Sequence, residues 1–185
     1  MPDNDLLLHV CCAPCSAGII ETLLDEGQGL TLYFYNPNIH PREEYELRKA
    51  EIKRFSAAKA ISFIDADYDP DRWHERIKGL EHEKERGKRC QACFDMRLEQ
   101  AALYAHTNGF RSLGTTNGIS RWKNPHQVQQ AGINAVAPYT GLIFLDRDWR
   151  KEKGIERMQA VSKRENFYRQ KYCGCTFSIP GAPHK

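Results

Sequence analysis

Short apolar segments alternate with segments of helical periodicity along almost the whole chain of 185 residues. The apolar segments favour strands because they are short and bounded by turn residues. The segments between them carry apolar residues at helical spacing, and several begin at a proline. This alternation predicts right-handed βαβ units, an α/β fold and a mostly parallel sheet flanked by helices. The predicted strands cover residues 6–10, 30–35, 61–64, 110–116 and 142–145, and the predicted helices begin near 14, 41, 69, 90, 124 and 155.

The chain is expected to form a single α/β domain over residues 1–185. Its length suffices for one core, and no linker, internal repeat or low-complexity tract interrupts it. Residues 1–5 and about 179–185 are expected to be flexible tails. No apolar run approaches the roughly 20 residues that span a bilayer, and the polar, acidic start lacks a signal-peptide pattern. The sequence therefore predicts a cytoplasmic protein without membrane association.

The seven cysteines fall into three groups. An odd number in a reducing compartment argues against a disulfide framework and favours metal or redox chemistry. The first group follows the first predicted strand, and the second lies at a predicted helix start, where thiol pKa values fall and the metal-binding thiolate is favoured. Ligand sites of parallel sheets lie beyond the carboxyl ends of the strands, so we expect convergence there. The groups are Cys11, Cys12 and Cys15; Cys90 and Cys93; and Cys173 and Cys175.

The first two groups fit either zinc or a metal cluster. The pairs Cys12/Cys15 and Cys90/Cys93 have the spacing of a structural zinc site. Such a site leaves the adjacent Cys11 without a role, whereas a cluster can use it. A zinc-stabilised RNA-binding module without catalysis is therefore an alternative to a redox metal enzyme.

The third group indicates thiol redox chemistry. A Cys173-Gly174-Cys175 segment can close a small, strained and oxidising disulfide ring, which suits a transient redox function. A metal-free thiol oxidoreductase is thus a further alternative. Neither G-x-G-x-x-G nor G-x-x-x-x-G-K-[ST] occurs in the sequence, so nucleotide chemistry has no support. Electrons are therefore expected from an external donor.

Two segments, Thr115 to Lys123 and Tyr168 to Tyr172, mix aromatic and basic side chains and are expected to lie beside cysteines. Such a mixture suits the stacking of bases and the binding of phosphates. In addition, Arg147 to Lys171 carries nine Lys or Arg against four Asp or Glu, a surplus of +5. That surplus predicts either a phosphate-facing surface or a solvated helical face. The residues expected to contact a nucleic-acid substrate are Asn36, Arg121, Trp122, Lys123, Tyr168, Arg169 and Tyr172.

Four motifs in order resemble the QueH-type epoxyqueuosine reductases, and the resemblance extends from about Leu6 to Ser178. It implies a fold like the adenine nucleotide α-hydrolase (HUP) domains, with a metal centre replacing the nucleotide. It also implies a two-electron deoxygenation that converts epoxyqueuosine to queuosine at the wobble position of the tRNA anticodon loop. The motifs are His9-Val10-Cys11-Cys12-Ala13-Pro14-Cys15, Tyr35-Asn36-Pro37-Asn38-Ile39, Arg89-Cys90-x-x-Cys93 and Tyr168-Arg169-Gln170-Lys171-Tyr172-Cys173-Gly174-Cys175.

The resemblance also assigns roles to the cysteines. It implies that Cys173 and Cys175 form a redox-active pair. Members of the family can carry an additional mononuclear iron, and Cys15, where some relatives have Asp, would be its ligand. The 115–124 loop departs from the family pattern, so the contacts of its side chains do not carry over. The implied ligands of a 4Fe–4S cluster are Cys11, Cys12, Cys90 and Cys93.

Overall fold

The computed structural model describes residues 5–181, and the outermost residues of the two predicted tails lie outside this range. Five strands form one sheet in the order β3-β2-β1-β4-β5, and every neighbouring pair is parallel. The predicted α/β class is confirmed, although the last strand has two residues where four were predicted. The strands are β1 (Leu6–His9), β2 (Leu30–Phe34), β3 (Ser62–Asp65), β4 (Ser112–Thr115) and β5 (Ile143–Phe144).

Six α-helices connect or follow the strands. Two of the predicted starts are confirmed by N-caps, because the Asp69 carboxylate accepts from Arg72 N and the Asn124 amide oxygen accepts from His126 N. Two short 3₁₀ turns, Asn117–Ile119 and Thr176–Ser178, were not predicted. The helices are α1 (Ala13–Asp25), α2 (Arg42–Ala58), α3 (Pro70–Arg76), α4 (Lys88–Thr107), α5 (Pro125–Val136) and α6 (Gly154–Arg164).

The helices cover both faces of the sheet because successive strand residues point to opposite sides. Leu6 and Leu8 of β1 pack among side chains of α1, α2 and α6. Leu7, between them, packs on the other face among side chains of α3, α4 and α5. The close approach of α6 to α1 requires Gly18, since a Cβ at that position would lie 2.8 Å from Met158 Cα. The sheet is therefore buried between two helical layers.

The strand order reverses between β1 and β4, and in open α/β sheets this switch point is where ligands bind. His9, at the end of β1, joins the neighbouring strand ends. Its Nε2 lies 3.1 Å from Tyr35 O and its Nδ1 lies 3.1 Å from Thr115 Oγ1. Burial lowers the pKa of His9 to about 3, so the ring is neutral; Nε2 donates and Nδ1 accepts. His9 is thus a core residue with both ring nitrogens hydrogen-bonded, and it connects the carboxyl end of β1 with those of β2 and β4.

No helix within residues 5–181 combines the length and the apolar character needed to cross a bilayer.

Candidate metal centre

The first cysteine group lies where β1 ends and α1 begins. Cys11 and Cys12 are buried, Cys15 is half-buried, and the sulfurs of Cys11 and Cys12 are 3.8 Å apart. Hydrogen bonds from Cys12 and Cys15 hold the pKa of the Cys11 thiol well below its ordinary value, although burial opposes them. The same hydrogen bond to Cys11 raises the pKa of Cys15 to about 12. Cys11 is therefore the cysteine of this group that loses its proton most easily.

The second and third cysteine groups share one small cavity. Helix α4 begins at Lys88, two residues earlier than predicted, because Gly87 takes the extended backbone of its N-cap; Cys90 therefore lies in the first turn. Burial raises the pKa of Cys90 to about 11 and that of Cys175 to about 12, so both are protonated thiols. The cavity is lined by Cys90, Cys93, Cys173 and Cys175 together with Asn38, Trp73, Arg89, Phe94 and Arg97.

Lys123 connects this cavity with the first group. Its Nζ lies 3.4 Å from Cys11 Sγ. Burial lowers the pKa of Lys123, but the electrostatic influence of the facing cysteines, that of Cys11 first, outweighs burial and raises it. All seven cysteines are free thiols, and within residues 5–181 no three Cys, His, Asp or Glu side chains are grouped as a metal site. The cysteine ligand set therefore stays a prediction.

Three buried side chains beside the cysteines form what we call the donor wall: Arg97, Asn117 and Lys123. Arg97 is 1% exposed and Lys123 is 5% exposed. Lys123 Nζ donates to Asn117 Oδ1 at 2.8 Å, and Arg97 Nη2 donates to the same oxygen at 3.4 Å. Asn117 Nδ2 and Arg97 Nε are buried donors without a partner in the described part of the chain. The wall thus has more donors than acceptors.

The donor wall fits a metal group held by thiolates. Among residues 5–181, no carboxylate pairs with Arg97 or Lys123, and the single thiolate of Cys11 cannot balance two buried cations. A buried cation without a counter-charge is costly, and so is an unpaired buried donor. A thiolate-bound metal supplies both the negative charge and the sulfur acceptors. A 4Fe–4S cluster and a zinc ion both carry net negative charge with four thiolates, so both fit the donor wall.

The Cys173-Gly174-Cys175 segment is held by a buried ion pair on α2. Arg48 bonds Glu44 Oε1 at 2.7 Å, and its Nη1 and Nη2 donate to the carbonyls of Cys173 and Tyr172 at 2.9 and 3.3 Å. Gly174 has a φ of +131°, and a Cβ there would lie 3.0 Å from Arg48 Nη1. The shape of this segment therefore depends on Arg48 and on glycine at position 174.

Trp122 stands at the entrance to the cysteines. It is half-buried, and the Arg121 guanidinium carbon lies 4.7 Å from its ring centre. Trp122 borders a cleft of about 920 Å³ that is also lined by Arg89 and Phe177. It lines a second, smaller cavity together with Cys90 and Cys173. Trp122 therefore lies between the cleft and a cavity that cysteines line.

Four of the other five residues expected to contact substrate have partners within the protein, and the fifth, Arg169, is exposed. Asn36 is fully buried; it donates to Val10 O at 2.9 Å and accepts from Arg97. Tyr168 Oη donates to Glu44 Oε2 at 3.1 Å, whereas Tyr172 Oη donates to His40 O. Arg169 is exposed, and Lys123 is turned inward. Direct substrate contacts by these five side chains stay predictions.

The basic stretch from Arg147 to Lys171 is neutralised in part by acidic residues of α1 and by Glu26, which directly follows this helix. Arg150 has a different role, because its Nη2 donates to the carbonyls of Ser120 at 2.7 Å and Lys123 at 3.1 Å and so supports the loop beside Cys11. A continuous phosphate-facing surface is therefore not formed by the whole stretch. The exposed cations that have no acidic partner among residues 5–181 remain for that role: Lys153, Lys163, Arg169 and Lys171. The neutralising pairs are Arg147–Glu26, Arg157–Asp25 and Arg164–Glu21.

Comparison with known proteins identifies the family. The family model described as Epoxyqueuosine reductase QueH matches residues 6–180. The chain belongs to the epoxyqueuosine reductase QueH family. It is 54% identical to the epoxyqueuosine reductase QueH of Acinetobacter baylyi, over 97% of this chain and 83% of that protein. The QueH proteins of Haemophilus influenzae and Streptococcus pyogenes are 53% and 36% identical, over 97% and 94% of this chain and 74% and 69% of those proteins. The resemblance seen in the motifs is thereby confirmed.

Three residues at the candidate site of this QueH family member were missed by sequence reasoning: Arg48, Glu44 and Arg97. Arg97 lies four residues after Cys93 and therefore on the same side of α4, which was an available signal. Glu44 and Arg48 have the i, i+4 spacing of an ion pair, but that spacing is more typical of exposed helix surfaces. Only the tertiary fold shows that this pair is buried against the Cys-Gly-Cys segment.

Proposed function

We propose that the chain is an epoxyqueuosine reductase, which removes the epoxide oxygen of epoxyqueuosine in tRNA to give queuosine. The observation that carries this proposal is the family match over residues 6–180, supported by 54% identity to a curated relative of that name. The convergence of free cysteines with buried cations at the switch point supports a redox site. The metal-free alternative leaves the buried cations without a counter-charge, and the zinc alternative leaves the Cys173-Gly174-Cys175 segment without a role.

Cys173 and Cys175 are the proposed redox-active pair. Converting an epoxide to an alkene takes two electrons and two protons and releases the oxygen as water. Oxidation of two thiols to a disulfide supplies both electrons and both protons. The balanced change is therefore epoxide plus dithiol to alkene, water and disulfide, and an external electron donor reduces the disulfide again. The free thiols support this role. The hydrogen bonds from Arg48 support it as well, because they fix the segment beside Cys90 and Cys93.

Cys11, Cys12, Cys90 and Cys93 are the proposed ligands of a 4Fe–4S cluster. Such a cluster would supply electrons one at a time, whereas Lewis-acid action on oxygen would require an iron with an open coordination position, such as the proposed additional iron. The protein's own contribution is a thiolate at Cys11 and unpaired donors in the donor wall. Because Cys90 has a raised pKa, binding metal there must release its proton.

Cys15 is the proposed ligand of an additional mononuclear iron. We expect Cys15→Asp to keep this iron and part of the activity, because a carboxylate is also an acceptable iron ligand. Cys15→Ala should lose the additional iron and keep the cluster. Iron and sulfide content, with anomalous diffraction at the iron edge to place each iron, measures both results. An anomalous map of the wild-type protein with cluster iron alone and a free thiol at position 15 would rule this ligand out.

The tRNA substrate is proposed to enter through the cleft beside Trp122. A base in the single-stranded anticodon loop can be turned into a pocket without melting a helix. The Trp122 ring offers a stacking surface next to the cavity of Cys90 and Cys173. The exposed cations Arg121, Arg169 and Lys171 are the proposed phosphate contacts.

The experiment that tests this function measures queuosine formed from epoxyqueuosine-containing tRNA by mass spectrometry of its nucleosides. We expect Trp122→Ala to weaken tRNA binding or turnover by about 1–3 kcal/mol, because that is the usual value of one base–aromatic stack. Leu103→Ala, which removes an exposed apolar side chain from α4, is the control and should leave both unchanged. Absence of queuosine from the reaction of the iron-loaded wild-type protein with a reductant would refute the proposed function.

A further inference from the structure

The donor wall indicates a role for Lys123 that differs from the substrate contact expected from its position in the sequence. We infer that the Lys123 ammonium, held in place by Asn117, stabilises the reduced form of the proposed cluster and thereby raises its reduction potential. The inference rests on the proposed function. It makes Lys123 a positioning residue, because it acts through the Cys11 sulfur and the charge of the centre.

Two contacts fix the ammonium beside the cysteines, and two hydrogen bonds fix the backbone that carries it. Its Nζ lies 3.4 Å from Cys11 Sγ and donates to Asn117 Oδ1 at 2.8 Å. The backbone of Lys123 is also fixed, since its N–H donates to Ser120 O at 3.1 Å and its carbonyl accepts from Arg150 at 3.1 Å. A long side chain that would ordinarily extend into solvent is instead held at one point in the interior.

The charge balance explains why such a cation acts on a redox group. Each electron that enters a cluster adds a negative charge, so a fixed positive charge nearby favours the reduced form. Hydrogen bonds to the ligand sulfurs act in the same direction. Within residues 5–181 no carboxylate pairs with Lys123 or Arg97, so their charges are available to the centre. The asparagine between them orders both cations without neutralising either.

Three variants distinguish the effect of the charge beside Cys11 from the effect of side-chain shape. Lys123→Met keeps a long side chain and removes the charge and the donor, whereas Lys123→Arg keeps both. Asn117→Asp is nearly isosteric and places a negative charge at the oxygen that both cations contact. Lys53→Met, at an exposed position on α2, is the control. The proteins are reconstituted without oxygen, and the reduced fraction is followed by electron paramagnetic resonance against ambient potential, together with iron and sulfide content.

We expect Lys123→Met and Asn117→Asp to retain iron and sulfide and to shift the midpoint to a more negative potential. The expected effect is a ratio of reduced to oxidised cluster at least tenfold lower at fixed potential, which corresponds to 59 mV for one electron. Lys123→Arg and Lys53→Met should keep the wild-type potential. If Lys123→Met lost the cluster, the midpoint of Asn117→Asp, which keeps the lysine, would take its place in the comparison.

Two results would overturn this inference and leave the proposed function intact. One is an unchanged potential in Lys123→Met with a full cluster, and the other is an equal effect of Lys123→Met and Lys123→Arg on the potential. A wild-type protein that takes up neither iron nor sulfide would instead refute the proposed function, and the inference with it. The measurement of potential separates these cases because a merely structural lysine would change the amount of cluster without shifting its midpoint.

Discussion

Serine in place of any one of Cys11, Cys12, Cys90 and Cys93 is expected to remove the cluster iron and the reductase activity together. The loss of activity should exceed about 100-fold, because removing even an outer partner of a metal ligand costs about 10–100-fold. Cys11 should be the most sensitive, since it is the cysteine of the first group whose pKa is lowered. Iron, sulfide and queuosine formation are measured on the same preparations.

A serine variant of the proposed redox pair provides a contrast with the four ligand variants. Cys175→Ser should keep the full iron and sulfide content and lose turnover, because its sulfur is assigned to electron storage. If Cys175→Ser lost the iron, or if two of the four ligand variants kept it, the assignment of the cysteines would be wrong.

Loss of the buried guanidinium in Arg48→Ala is expected to lower the free energy of unfolding by about 3–5 kcal/mol. This is the usual cost of leaving a buried charge without its partner. Arg48 and Glu44 are 2% and 9% exposed, so the remaining Glu44 carboxylate would lie in the interior unpaired. The carbonyls of Cys173 and Tyr172 would lose their donors as well, so turnover should also fall.

The same helix offers a control for this prediction. Arg42 and Glu46 form an i, i+4 pair at 3.8 Å, but their side chains are 73% and 45% exposed. Arg42→Ala should therefore cost less than about 1 kcal/mol. Urea denaturation of both variants and of Glu44→Ala/Arg48→Ala measures the difference, and the double variant should cost less than the sum of its singles. Equal costs at positions 42 and 48 would show that Arg48 does not hold the segment.

The elements of the fold were predictable from sequence because short-range patterns determine them. Proline and capping residues marked the helix starts, and apolar runs marked the strands. The last strand was predicted too long because Leu142 and Leu145 continue the apolar run outside the ladder. Neither 3₁₀ turn follows a periodicity that a sequence displays.

The site was predictable to the level of its cysteines and no further. The motif cysteines follow β1 and begin α4, so the parallel topology alone brings them towards one edge. The direction in which a long cation points depends on partners far away in sequence. Lys123 looked like a phosphate contact beside Trp122, but its ammonium meets Cys11, 112 residues away.

The basic stretch illustrates the same point. Its surplus of cations suggested a phosphate-facing surface, but Arg147 and Arg157 pair with acidic residues directly after α1 and at its end, which are 121 and 132 residues away. Arg150 donates to loop carbonyls instead. Net charge along a segment therefore does not show which of its cations remain free on the surface.

The measurement that tests the central claim most directly is the metal and sulfide content of the wild-type protein purified without oxygen. A redox enzyme with a 4Fe–4S cluster on Cys11, Cys12, Cys90 and Cys93 should be brown and contain about four iron and four acid-labile sulfide per chain, with further iron if Cys15 binds it. Zinc in place of iron, or thiols without any metal after reconstitution with iron and sulfide, would contradict it.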